Sequence, residues 1–192
     1  MLWQAANVTS PTGTAAGPER LLFVGMMGAG KSSVALLVGA RRGWAVVDTD
    51  ELVERRTGIS VAEFFATKGE QAFRAAESEA VRELGETVGP LVASVGGGAV
   101  LLPENRDVMR ALGTVVWLRA RPESLAKRVG RGHGRPLLSG PDEGGPAAVL
   151  ARLTRERGPL YEQVADVVID VDELTAAQVA QRVLHELQRR RD

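Results

Sequence analysis

The run "LLFVGMMGAGKSS", residues 21–33, limits what this chain can fold into more than any other stretch of it. A short apolar, β-prone segment leads into a glycine-rich turn, and the turn opens a run of good helix formers at Lys31. Gly25, Gly30, Lys31 and Ser32 fit the pattern G-x-x-x-x-G-K-[ST], in the strand-then-helix setting that the pattern requires. The glycines let backbone amides turn inward, and the positive end of the following helix dipole points to the same place. The turn is therefore a cradle for phosphate oxygens. In that geometry Lys31 reaches the β and γ phosphates of a nucleoside triphosphate, and the Ser32 hydroxyl is a ligand for Mg²⁺. Gly28, Ala29, Gly30 and Ser33 complete the expected nucleotide-binding positions of the turn.

The rest of the chain continues the alternation of strand and helix. Apolar runs at 21–25, 44–48, 91–95, 114–118 and 167–170 predict five strands, each nearly continuous in apolar residues, as when helices cover both faces of a parallel sheet. Between them, helices are expected at 31–42, 60–84 with a break near Gly69, 103–112, 122–129, 146–164 and 175–190. The predicted fold class is α/β, a three-layer P-loop architecture with a central five-stranded parallel sheet. At 192 residues and 44% apolar, the chain suffices for one sizeable core. Residues 1–19 hold no Lys or Arg, lack the basic start of a secretory signal, and are expected to be a flexible tail before a domain of residues 20–192.

Composition narrows the chemistry. Basic and acidic residues balance at 24 each, so anion binding has to be local, and neither nucleic acid nor a membrane surface is an expected partner. There is no cysteine and there are two histidines, His133 and His185, which removes disulfides, thiolate catalysis and a histidine-rich metal site. No apolar run approaches the roughly 18 residues of a membrane span. A cytoplasmic monomer is the expectation.

A cradle alone leaves the fate of the terminal phosphoryl group open between hydrolysis and transfer to a small acceptor. Hydrolytic P-loop proteins usually place an Asp at the end of an apolar strand, with a water-orienting Gln or Glu beyond it. Here "LVASV" runs instead into Gly96-Gly97-Gly98. The second strand ends in "VDTD", which sets Asp48 and Asp50 at the sheet edge where α/β folds bind ligands. Asp48 can hold Mg²⁺ through water, and Asp50 can accept a hydrogen bond from an acceptor hydroxyl and act as base; alternatively, one of them simply caps the next helix. Arg74 and Glu77 share a helix face three residues apart, which is either a surface salt bridge or a carboxylate holding a guanidinium in place. Phe65 and Phe73 beside Arg74 favour the second reading, because an arginine fork between aromatic walls suits a carboxylate-bearing ring. Residues 130–146, "GRGHGRPLLSGPDEGGP", are too rich in Gly and Pro for a helix and read as a mobile loop.

The order "GMMGAGKSS", "VDTD", "GEQAFRAAE", "VGGGAV", "GRPLL" and "RGPLYEQVAD" resembles the shikimate kinase family over residues 20 to 185. The resemblance implies transfer of the γ-phosphate of ATP, with Mg²⁺, to the 3-hydroxyl of shikimate, in the pathway to chorismate and the aromatic amino acids. It further implies that Asp50, Arg74, Gly96, Gly97, Gly98 and Arg157 bind shikimate, with Phe65 and Phe73 walling the pocket. Lys31 and Ser32 keep their roles, and Asp48 joins the metal shell. Arg128 lies against the adenine, and Arg135 is the arginine of a closing lid, which with Asp50 and Lys31 completes the catalytic set. Ser33 departs from the Thr more usual in the family, and residues 1–19 match nothing in its core. A gluconate kinase shares the cradle and lid, and a non-catalytic relative would share the fold; Arg74, Arg157 and the triple glycine argue against the first, and Lys31, Asp50 and Arg135 against the second.

Overall fold

The computed structural model describes residues 19–130, 138 and 145–190. Its centre is a five-stranded, wholly parallel sheet in the order β2-β3-β1-β4-β5. The strands are β1 (Arg20–Val24), β2 (Ala45–Asp48), β3 (Leu91–Ser94), β4 (Thr114–Arg119) and β5 (Val167–Asp170). Each falls where an apolar run predicted it, within a residue or so. β1, β3 and β4 are buried almost end to end, whereas the edge strand β5 alternates, with Val167 and Ile169 inward and Val168 and Asp170 outward. That contrast is what helices on both faces of the centre and one open edge produce.

Among the described residues, seven α-helices surround the sheet: α1 (Lys31–Arg42), α2 (Thr49–Thr57), α3 (Val61–Glu83), α4 (Pro103–Leu112), α5 (Pro122–Val129), α6 (Gly145–Val164) and α7 (Ala176–Arg189). Six correspond to expected helices, and the break near Gly69 is a kink in α3 at φ 81°, ψ 171°. α2 is additional to the helices expected. Leu52 and Val53 are its main apolar residues, too few to give a helical period, and its existence depends on its ends. Asp48 accepts from the Asp50 amide at the start, and Gly58 ends it in the left-handed region at φ 73°.

Register sets the site. Asp48 and Ser94 are cross-strand partners, and Ser94 in turn pairs with Phe23, so the ends of β2, β3 and β1 lie level. The chain leaves all three at the same edge, as the phosphate turn, the start of α2 and the triple glycine. A second, smaller core of Val53, Phe64, Phe73 and Ala80 joins α2 to α3 and supports the outer wall of this edge.

Candidate active site

The phosphate turn is built by two glycine properties. Gly30, at φ 91° and ψ 17°, brings the chain into α1 through a left-handed conformation, with open space where a side chain would stand. Gly25 is needed for closeness as well, since a Cβ there would meet the Leu118 carbonyl oxygen at 2.6 Å. The Lys31 side chain folds back along the turn, and its Nζ donates to the carbonyls of Gly25 at 2.9 Å and Met26 at 3.2 Å. One turn of α1 places the Ser32 hydroxyl against β2 and β3, where it donates to Asp48 Oδ2 at 2.7 Å and lies 3.2 Å from Ser94 Oγ.

Of the two aspartates, Asp48 is the one that caps the next helix. Oδ1 caps α2 by accepting from the Asp50 amide at 3.0 Å, while Oδ2 faces Ser32. The adjacent hydroxyl and carboxylate oxygens are hard donors of the kind Mg²⁺ takes. Among the described residues no group of three or more His, Cys, Asp or Glu forms a protein cage. Two protein oxygens beside a phosphate cradle fit an ion that keeps its waters and shares phosphate oxygens.

Asp50 stands one step further out on α2, half-buried. Burial pushes its carboxyl up to about 6; the neighbouring Asp48 adds to the shift and Lys31 opposes it. Arg74 is fixed from two sides, with Nη1 donating to Glu77 Oε2 at 2.8 Å and Nη2 to Glu70 Oε1 at 2.8 Å. Glu77 is 2% exposed, so this is a buried ion pair rather than the surface bridge that spacing alone allows. The Arg74 guanidinium lies 5.8 Å from the Phe65 ring centre and 5.5 Å from that of Phe73. Arg157, 3% exposed on α6, donates from Nη1 to the Gly97 carbonyl at 3.1 Å, and its buried Nε has no partner among the described residues.

The triple glycine fits into this set as a matter of space. A Cβ on Gly96 would stand 2.5 Å from Glu77 Oε1 and 2.8 Å from Asp50 Oδ1, and one on Gly98 would overlap the Arg74 guanidinium. The Gly96 amide is not a free donor, because it is bonded at 2.8 Å to the buried Thr49 hydroxyl. Gly96 shapes the site instead of hydrogen-bonding into it.

These groups surround one cavity of about 500 Å³. Gly28, Gly30, Lys31, Ser32 and Ser33 line one part; Asp48 and Asp50 line the middle; Phe65, Phe73, Arg74, Gly97, Gly98 and Arg157 line the other. Arg128 is at its rim, exposed on α5, with Nη2 donating to the carbonyls of Val171 and Asp172. Ala29 is buried behind the phosphate turn. Arg135 lies outside the described residues, as does most of the 130–146 segment. Sequence reasoning missed Glu54 and Ser94, which also line the cavity. Ser94 had a signal, a hydroxyl at the end of an otherwise apolar strand; Glu54 had none, because α2 had no visible period.

A P-loop sheet, an oxygen pair suited to Mg²⁺ beside the cradle, and an adjoining pocket with a carboxylate and two arginines define a small-molecule phosphotransferase. Residues 27–188 match the family described as Shikimate kinase. The Shikimate kinase of Symbiobacterium thermophilum is 44% identical over 172 residues, covering 88% of this chain and 97% of the relative. That of Moorella thermoacetica is 42% identical over 166 residues, covering 86% and 92%. The solved shikimate kinase from Acinetobacter baumannii in complex with shikimate superposes with a TM-score of 0.85 at 33% identity, covering 91% of this chain and 94% of that one. The chain belongs to the shikimate kinase family.

Proposed function

We infer that the protein catalyses ATP-dependent phosphorylation of the 3-hydroxyl of shikimate, giving shikimate 3-phosphate and ADP, a step towards the aromatic amino acids. The observation that carries the division of labour is that one cavity joins the phosphate turn to two arginines, the buried Arg157 and the half-buried Arg74. Phosphoryl transfer depends on positioning and charge more than on covalent chemistry. Lys31 and the turn amides of Gly28 to Ser33 hold the triphosphate. Ser32 and Asp48 would hold Mg²⁺, which when bound neutralises charge on the phosphate oxygens. Asp50 orients the attacking hydroxyl and accepts its proton, a role suited to a carboxyl at about 6 that is ionised at neutral pH. Arg74 and Arg157 take the shikimate carboxylate, Phe65 and Phe73 cover the ring, and Gly96 to Gly98 leave room for it. Arg128 lies against the adenine. Arg135, on a lid of about 130–146, adds positive charge at the transferring group and closes off water.

The same reading has the protein act as a cytoplasmic monomer without nucleic-acid or membrane partners. Balanced charge supports it, as do the exposed large apolar side chains among the described residues, Leu36, Val88, Leu101 and Val168, which are scattered over separate segments. No helix among the described residues is long and apolar enough to cross a membrane. The test of the activity is a panel of acceptors with ATP and Mg²⁺, read as ADP release. Shikimate is expected to support turnover, while gluconate and nucleoside monophosphates give almost none; comparable rates on those acceptors would overturn the assignment.

A further inference from the structure

We infer that Tyr161 is a positioning residue for the acceptor, its hydroxyl holding the 96–98 turn and Arg157 in the arrangement that receives the acceptor carboxylate. The inference rests on the shikimate reading above and adds a residue to it. Tyr161 is the one tyrosine of the chain and is 1% exposed. It follows Arg157 by one turn of α6, so both side chains leave the same face of the helix.

Both also donate to one acceptor. The Tyr161 hydroxyl lies 2.6 Å and Arg157 Nη1 3.1 Å from the Gly97 carbonyl oxygen. Two donors occupy both lone pairs of that oxygen and fix the direction of its peptide plane. No peptide bond in the described chain is cis, so the N–H of Gly98, which shares the plane, points away from Tyr161. Gly98 and Arg157 both line the cavity. One buried hydroxyl thus sets the direction of an amide donor and the resting place of a guanidinium. Burial pushes the Tyr161 phenol upward, so it remains a protonated donor at neutral pH.

The ring anchors the hydroxyl to the phosphate side of the site. It stacks on Trp117 with 5.7 Å between centres and 29° between planes, and the hydroxyl is 3.7 Å from the Met26 sulfur. Trp117 itself packs 3.4 Å from the position a Gly25 Cβ would take. Removing the hydroxyl alone would keep this stack and leave the Gly97 carbonyl to Arg157.

The test is Tyr161→Phe in the full chain, with steady-state kinetics in which each substrate is varied in turn. KM for shikimate is expected to rise about tenfold, the factor that roughly 1.4 kcal/mol of lost positioning gives, while kcat and KM for ATP stay within about twofold. A merely structural role would move both KM values together, and that result, or an unchanged KM for shikimate, overturns the inference. Replacing tyrosine throughout by 3-fluorotyrosine puts a single fluorine in an otherwise wild-type chain. Its NMR signal is expected to shift on saturation with shikimate alone, and a fixed signal overturns the inference even if the phenylalanine variant does not fold. Wild-type protein that leaves shikimate unphosphorylated overturns the underlying reading, and this inference with it. An active wild type beside an unaffected variant overturns this inference alone.

Discussion

Asp50, the base of the proposed reaction, is held at a cost to the stability of the fold. Its carboxyl titrates near 6 in the fold against an ordinary value of 3.8, with burial the largest cause. A carboxyl raised on folding holds its proton more tightly in the folded state. Its stabilising contribution is present below the unfolded value and is lost as pH rises through about 6, so at neutral pH the ionised group is a cost to the fold. Asp50→Asn is therefore expected to raise Tm at pH 7.5, by roughly 2–4 °C for each kcal/mol relieved in a chain of this size, with the gain shrinking towards pH 4. The same substitution should lower kcat by about 10²–10⁴-fold with ATP affinity kept, the range for losing a general base. In the wild type, kcat/KM for shikimate should fall as pH drops through about 6, where the base becomes protonated. Turnover of the variant at the wild-type rate would remove Asp50 from the chemistry, and a flat pH profile would remove its titration.

At the scale of elements, the 96–98 turn carries a requirement that is spatial. Gly98 sits at φ −94° and ψ −13°, a conformation any residue adopts, so alanine there meets no backbone strain. What alanine meets is the Arg74 guanidinium, which Glu70 and Glu77 hold on the other side. Gly98→Ala is expected to raise KM for shikimate at least about tenfold, ~1.4 kcal/mol, by displacing Arg74, with ATP affinity little changed and Tm lowered because the buried Glu77 loses its partner. Calorimetric titration of each substrate checks this, and an unaltered affinity for shikimate would show that Arg74 can yield without loss. The cradle and the sheet were legible in the sequence because strand, glycine turn and helix signal themselves locally. Asp50, Arg74 and Arg157 could be placed beside them by motif order. Three things were not legible. α2 hides in a polar segment held by its caps. The burial of Glu77 depends on β3 passing beside α3, which spacing within one helix cannot report. The hydroxyl of Tyr161 could not be tied to the site because its partner, the Gly97 carbonyl, is 64 residues away in sequence.

For the molecule as a whole, two cores share the work. The larger surrounds the sheet and supports the phosphate turn, and the smaller joins α2 to α3 under the acceptor wall. The buried members of both lie between Leu21 and Val183. The family match begins later still, at residue 27. The first strand is secured from within this range, since Arg20 donates to the carbonyls of Leu84 and Thr87 at 2.8 and 2.7 Å, and the Leu91 amide donates to the Glu19 carbonyl at 3.0 Å. We propose that residues 20–192 are the catalytic domain, preceded by a tail of residues 1–19 of which the part before Glu19 contributes nothing to it. A chain beginning at Glu19, which keeps that last bond, should match the full chain in Tm, kcat and both KM values. Thermal melts and steady-state kinetics of the two side by side decide the matter. A loss of more than about 1 kcal/mol, seen as roughly 2–4 °C in Tm, would assign part of residues 1–18 to the folded unit. A change in either KM at constant Tm would assign it to the active site.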